Sequence, residues 1–159
     1  MKYILACILI FMTVNVFAAE AKNPTVMIFV SFSMPKESLK GWLQEAEKIQ
    51  APVIIRGLVN NSFKATINKM AELTLNNHGG VQLDPTLFKQ FDIQQVPAVV
   101  VRQNNNCVSK LICLENYHVI YGDVHLEYAL QKIAELSVEN DDIANVANIA
   151  LKRLRGQHD

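Results

Sequence analysis

Two cysteines, four histidines and one serine-led turn are the side chains of this chain that invite a chemical reading. Cys107 and Cys113 stand at a C-x5-C spacing, wider than the C-x2-C of a thiol redox pair. Asn104-Asn105-Asn106 just before them is turn material, so a disulfide stapling a hairpin tip is expected, with a redox-active or metal-binding pair as the other reading. Closing so short a loop would stabilise the fold by about 2 kcal/mol on the chain-entropy account. No histidine or carboxylate stands beside the pair at metal-ligand spacing, so neither a metal nor a cofactor is expected. Ser33, in Ser33-Met34-Pro35-Lys36, carries a hydroxyl that needs a base to become a nucleophile. His78 lies in a glycine loop, His118 on a strand pattern, His125 at a helix and His158 in the tail, and none forms a triad with it. No catalytic residue is assigned, and Ser33 is read as a helix cap.

These residues are carried by a chain that begins as an export signal. Lys2 supplies a positive start, residues 4–11 an apolar core, and Val16-Phe17-Ala18 precedes a cut at Ala19, with Ala19-Glu20-Ala21 as a second site. Thr13 and Asn15 interrupt the apolar stretch, which falls short of the ~20 residues of a membrane span, so cleavage of residues 1–18 and no stable membrane insertion are expected. Cys7 comes too early to be a lipoprotein cysteine, since no apolar stretch precedes it. The remaining 141 residues of the 159 are enough for one domain with a core. The formal charge is zero and near −1 without Lys2, so despite a basic C-terminus direct nucleic-acid binding is not expected.

The elements follow from pattern. Residues 26–32 are almost wholly apolar, as a strand buried on both faces should be. Residues 36–49 place Leu39, Trp42, Leu43, Ala46 and Ile49 on one helical face, with Pro35 suited to the first turn. Pro52 precedes a second buried strand, Val53-Ile54-Ile55. Asn61 or Ser62 caps a helix reaching about Leu75, with Phe63, Ile67, Met70 and Ala71 expected inward. Val81-Gln82-Leu83 is a short strand, and Asp84-Pro85 opens a short helix with Leu87, Phe88 and Phe91 on its apolar side. Residues 98–102 and 117–121 read as antiparallel strands, and Gly122-Asp123 as the end of the second and the cap of a helix over 124–136. The order βαβαββα implies an α/β fold, a mixed sheet with helices on both faces in the thioredoxin-like arrangement over residues 25–136. Beyond a polar break, Ile143, Val146, Ala147, Ala150, Leu151 and Leu154 predict an extra amphipathic helix over 141–155, packed on this domain or docked on a partner.

In that arrangement Ser33-Met34-Pro35-Lys36 stands where a thiol enzyme carries Cys-x-x-Cys, and Val96-Pro97 stands where the cis-proline loop belongs. The wording of the sequence is more specific still. Phe29-Val30-Ser31-Phe32-Ser33-Met34-Pro35, Ser38-Leu39-Lys40, Trp42-Leu43, Arg56-Gly57-Leu58, Asn60-Asn61-Ser62-Phe63, Gly80-Val81-Gln82, Asp84-Pro85, Leu87-Phe88 and Val96-Pro97-Ala98-Val99-Val100 occur in order. Over about residues 25–135 this set resembles the TrbC family of F-type conjugative transfer, exported proteins needed for pilus assembly. The resemblance implies a periplasmic component of a type IV secretion apparatus, thioredoxin-like but not a thiol enzyme, acting with a TraW-like pilus-assembly protein. The chain is too short to carry a fused TraW-like segment, so a separate partner is expected.

The function expected is therefore non-catalytic binding in conjugative pilus assembly. The alternatives are a periplasmic thiol–disulfide oxidoreductase or isomerase using Cys107 and Cys113, or a chaperone that holds pilin. The candidate protein-binding groove comprises Phe32, Ser33, Met34, Pro35, Arg56, Val96 and Pro97, where a peptide strand could pair with backbone groups and Met34 supply an adaptable contact. Pro97 has a purely structural reading as well, and Arg56 is expected to pair with Asp84 or Asp92 or to reach a partner.

Overall fold

The computed structural model describes residues 25–74, 80–103, 116–137 and 141–156. The expected export segment, all three cysteines, His78 and His158 lie outside the described residues. Five strands form one sheet in the order β3-β2-β1-β4-β5. The strands are β1 (Val26–Val30), β2 (Val53–Ile55), β3 (Val81–Leu83), β4 (Ala98–Arg102) and β5 (Tyr117–Tyr121). β1, β2 and β3 run parallel, while β4 is antiparallel to both β1 and β5. The α/β arrangement is thioredoxin-like, with a mixed sheet, helices on both faces and a cis Val96–Pro97 bond before β4.

Alternation along the strands divides the core into two layers. Val26, Ile28 and Val30 of β1 and Val99 and Val101 of β4 face one layer. There they meet α1 (Lys36–Lys48), α4 (Leu126–Leu136) and α5 (Asp141–Leu154). Met27, Phe29, Ile54, Ala98 and Val100 face the other layer, closed by α3 (Pro85–Gln90). Phe29 meets Phe88 edge-on at 4.9 Å, and Phe91 meets Tyr117 at 5.0 Å, geometries the ring quadrupoles favour. α5 buries Ile143, Ala147, Ala150 and Leu151 against α4, β1 and β4 in the larger layer.

Helix ends are set by specific bonds. Asp84 caps α3, accepting from the N–H groups of Thr86 (2.8 Å) and Leu87 (3.2 Å), with Pro85 behind it. α1 ends in a Schellman turn with Gln50 at φ 56°: Ala51 N–H donates to the Ala46 carbonyl and Gln50 N–H to that of Glu47. Asp92 (φ 47°) closes α3 the same way, through Ile93 to Phe88.

Three expectations about helix starts and faces are corrected. Ser33 does not cap α1. Pro35 holds the cap position in an extended conformation (ψ 138°), and proline disfavours helical geometry at the residue before it, so the helix cannot begin earlier. β1 likewise stops at Val30, two residues short of Phe32. Asp123 does not cap α4, which starts at Leu126. Glu45 of α1 takes the Leu126 N–H at 2.8 Å, and Asp123 turns to α1 instead. In α2 (Phe63–Thr74), which Ser62 does cap through Ala65 N–H, Phe63 and Ile67 face solvent (64% and 49% exposed) and Ala71 is exposed. Thr66 and Leu73 are the buried positions. The reason is a competing anchor: Thr66 Oγ1 accepts the Val59 N–H at 2.8 Å from a 3-10 turn at Val59–Asn61, which rotates that face inward.

A candidate protein-binding end of the sheet

The strand register decides which predicted site residues meet. β1 and β2 pair Val30 with Ile55, so Ser31 and Arg56 leave the sheet at the same end. β1 and β4 pair Phe29 with Ala98, so the antiparallel ladder brings Pro97 and Val96 to that end as well. The carboxyl ends of the parallel strands are where open α/β sheets place their binding crevices.

The turn after β1 is closed on itself. Met34 N–H donates to the Ser31 carbonyl at 3.2 Å, Ser31 N–H lies 3.4 Å from Met34 Sδ, and the Ser31 and Ser33 hydroxyls are 2.9 Å apart. The Ser33 hydroxyl thus partners serine, and among the described residues no histidine meets it. Phe32 and Met34 are half-buried against the α1 layer, whereas half-buried Val96 packs on the α3 layer. Pro97 is buried, and its carbonyl accepts from Gly122 N–H at 3.0 Å. Gly122 has φ 120°, a conformation an L side chain rarely adopts, and so lets the chain turn back onto the loop. That engaged carbonyl gives Pro97 a structural role. Ser33 and Pro35 are exposed on the turn.

Arg56 is exposed and makes no ion pair among the described residues. Neither expected partner meets it: Asp84 caps α3, and Asp92 accepts from the Gln94 side chain. What sequence reasoning missed lies next to it. Leu58 is 38% exposed, and Phe63 and Ile67, one turn apart on α2, are exposed as well, so the segment that follows β2 carries three exposed apolar side chains. The Lys36–Glu72 ion pair (2.9 Å) holds the far part of α2 to the start of α1 at this same end. The available signal was the tripeptide Asn60-Asn61-Ser62, whose asparagines adopt φ 49° and 53° in the turn that leads into the helix.

A second feature, a cleft of about 710 Å³, opens between α1 and the segment before α4, lined by Ser38, Trp42, Glu45, Asp123 and His125 among others. None of the predicted groove residues lines it. Asp123 Oδ1 accepts from Ser38 Oγ (2.8 Å) and Trp42 Nε1 (2.9 Å), and Glu45 accepts from Leu126 N–H while facing His125 Nδ1 at 3.4 Å. Both carboxylates are occupied in tying α1 to the start of α4. Among the described residues no group of three or more metal-ligating side chains converges, and no helix is long and apolar enough to cross a membrane.

The comparisons with known proteins agree on one family. Residues 28–133 match the family described as "Type-F conjugative transfer system pilin assembly protein". The periplasmic protein TrbC of Escherichia coli (strain K12) is 39% identical over 109 residues, 68% of this chain and 47% of that protein, so the chain spans about half the length of that curated relative. No solved structure matches. With the match covering more than half of the chain and all of the sheet except the first two residues of β1, this chain belongs to the family of pilin assembly proteins of type-F conjugative transfer systems.

Proposed function

We propose that this chain is a periplasmic, non-catalytic assembly factor for the conjugative pilus of an F-type type IV secretion system, working by binding a separate TraW-like assembly protein. The observation that carries the reading is the outward face of α2. Phe63 and Ile67 are exposed one turn apart on the helix that follows β2 and exposed Leu58, and the Lys36–Glu72 ion pair ties that helix to the start of α1, just after the Ser31–Met34 turn. Side chains of this size in water forgo a transfer gain of about 1.5–3 kcal/mol each when fully exposed, which a partner's apolar surface recovers. Arg56 at the rim offers a guanidinium for a carboxylate on that partner. The partner segment is therefore apolar with an acidic residue. Ser33, without a base, contributes backbone and shape rather than nucleophilic chemistry.

The test is capture of the TraW-like protein of the same transfer system by the immobilised chain. Phe63→Asp should weaken capture at least tenfold while thermal unfolding stays nearly unchanged, and Met34→Asp should weaken it less. Undiminished capture by folded Phe63→Asp removes this surface from the proposal. Turnover in an insulin-reduction assay that disappears in Cys107→Ser would overturn the non-catalytic reading. Suppression of pilin aggregation without capture of the TraW-like protein would replace the partner with pilin itself.

A further inference from the structure

Among the described residues β5 is an open edge of the sheet, and its sequence lacks the devices that usually guard one. β1 and β4 are buried at every position, whereas Tyr117 to Ile120 are only half-covered and Tyr121 is exposed. The strand reads Tyr-His-Val-Ile-Tyr, with no proline, lysine or carboxylate, and it pairs with β4 through five consecutive residues without a bulge. Natural edges of this length normally carry one of those features or a cover.

The register fixes which backbone groups face outward. Gln103 N–H donates to the Asn116 carbonyl and Gly122 N–H to that of Pro97, one bond at each end of the ladder. In an antiparallel pair such bonds alternate, so His118 and Ile120 exchange hydrogen bonds with β4. Tyr117, Val119 and Tyr121 therefore turn both N–H and C=O to the open edge. Among the described residues, none of these groups has a backbone partner beyond the sheet.

The outward set is symmetric about Val119. A second copy laid antiparallel with Val119 on Val119 sets Tyr117 opposite Tyr121 and His118 opposite Ile120, so every outward donor meets an outward acceptor. Cross-strand aromatic pairs are favourable, and no like charges are opposed. Both tyrosines are already fixed, Tyr117 Oη donating to the Phe91 carbonyl (3.5 Å) and Tyr121 Oη to that of Asp92 (3.4 Å), so pairing orders little that is not ordered. An interface of one strand with itself closes after two copies. We infer that a second copy of this chain binds antiparallel along β5, joining the two five-stranded sheets into one continuous sheet.

Light scattering on the purified chain should give the mass of a dimer, and Val119→Pro should halve it. Proline at an edge position removes only the outward N–H and keeps the inward ladder at His118 and Ile120, so circular dichroism and cooperative unfolding should persist. A native chain that is monomeric at all concentrations, or a dimer that survives Val119→Pro, overturns the inference. Should that variant fail to fold, Val119→Cys decides. Hydrogen-bonded antiparallel neighbours lie about 5.5 Å apart at Cα, within disulfide range, so mild oxidation should link position 119 of one copy to position 119 of the other. Absence of that linked peptide in mass spectra overturns it equally.

Discussion

α1 and α2 carry the same kind of apolar stripe and meet opposite fates. In α1, Leu39, Trp42, Leu43 and Ala46 are all buried, and the helix is further tied down by Asp123 on Ser38 and Trp42 and by Glu45 on Leu126. In α2 the larger apolar residues Phe63 and Ile67 face out, and burial falls to Thr66 and Leu73. A helical period says that one face is apolar. It does not say which of two adjacent faces the rest of the chain covers, and a single short contact, Thr66 Oγ1 to Val59 N–H, decides that here. The helix held from several sides supports the fold, and the helix held from one side presents surface.

The sharpest way to break this comparison is truncation on each helix. Trp42 is 3% exposed, so Trp42→Ala should cost about 3–5 kcal/mol through lost burial and the cavity left behind, and it also strips Asp123 of a donor. Phe63, at 64% exposure, should cost within about 0.5 kcal/mol when truncated to Ala. Denaturant unfolding of the two variants measures both, and similar losses would mean that Phe63 is buried in solution.

The same contrast marks what the sequence alone could reveal. β2, β3, β4 and β5 are bounded where their patterns place them, because short apolar or β-branched runs flanked by proline, glycine and aspartate have few other options. α1 and α3 were legible for the same reason: one carries a dense stripe, the other an Asp-Pro start. The candidate site was legible only as a place. Parallel pairing of β1 with β2 brings Ser31 and Arg56 together, which topology predicts. The side chains that furnish its surface depended on tertiary hydrogen bonds no period encodes. Asp123 passes over its own helix for Trp42, Glu45 caps a helix some eighty residues away, and Thr66 draws α2 round. Polar residues near a helix start have several acceptors and donors in reach, and local spacing does not rank them.

A medium effect separates the helices by how they open. α2 has its own cap in Ser62, one bond of 3.2 Å to Ala65 N–H, whereas α1 has no side-chain cap and relies on the rest of the fold. Ser62→Ala should therefore cost about 1 kcal/mol, felt first within α2. In native-state hydrogen exchange the amides of α2 should be less protected than those of α1, and they should speed up about fivefold in Ser62→Ala. Equal protection of the two helices would join them into one cooperative unit and undo the contrast.

The smallest effect concerns the ion pair that links the two helices. Lys36, the strongest influence, and Lys69 both hydrogen-bond Glu72, so the Glu72 carboxyl lies below its ordinary value of 4.5, and Glu72 in turn holds the Lys36 ammonium above 10.5. A carboxylate whose pKa is depressed by folding stabilises the native state above its unfolded value and loses that contribution as pH falls through the folded value. An ammonium whose pKa is raised contributes below its unfolded value and loses the contribution as pH rises through the folded one. The link between α1 and α2 should thus be constant across neutral pH and fade only at the acid and alkaline extremes. All three side chains are open to solvent, so salt should weaken it throughout. NMR titration of Glu72 should show a midpoint below 4.5 that moves upward in Lys36→Met, with Lys69 keeping part of the depression. A midpoint unmoved by that substitution would mean that the ion pair does not form in solution, leaving the outward face of α2 freer to follow a partner than the ion pair allows.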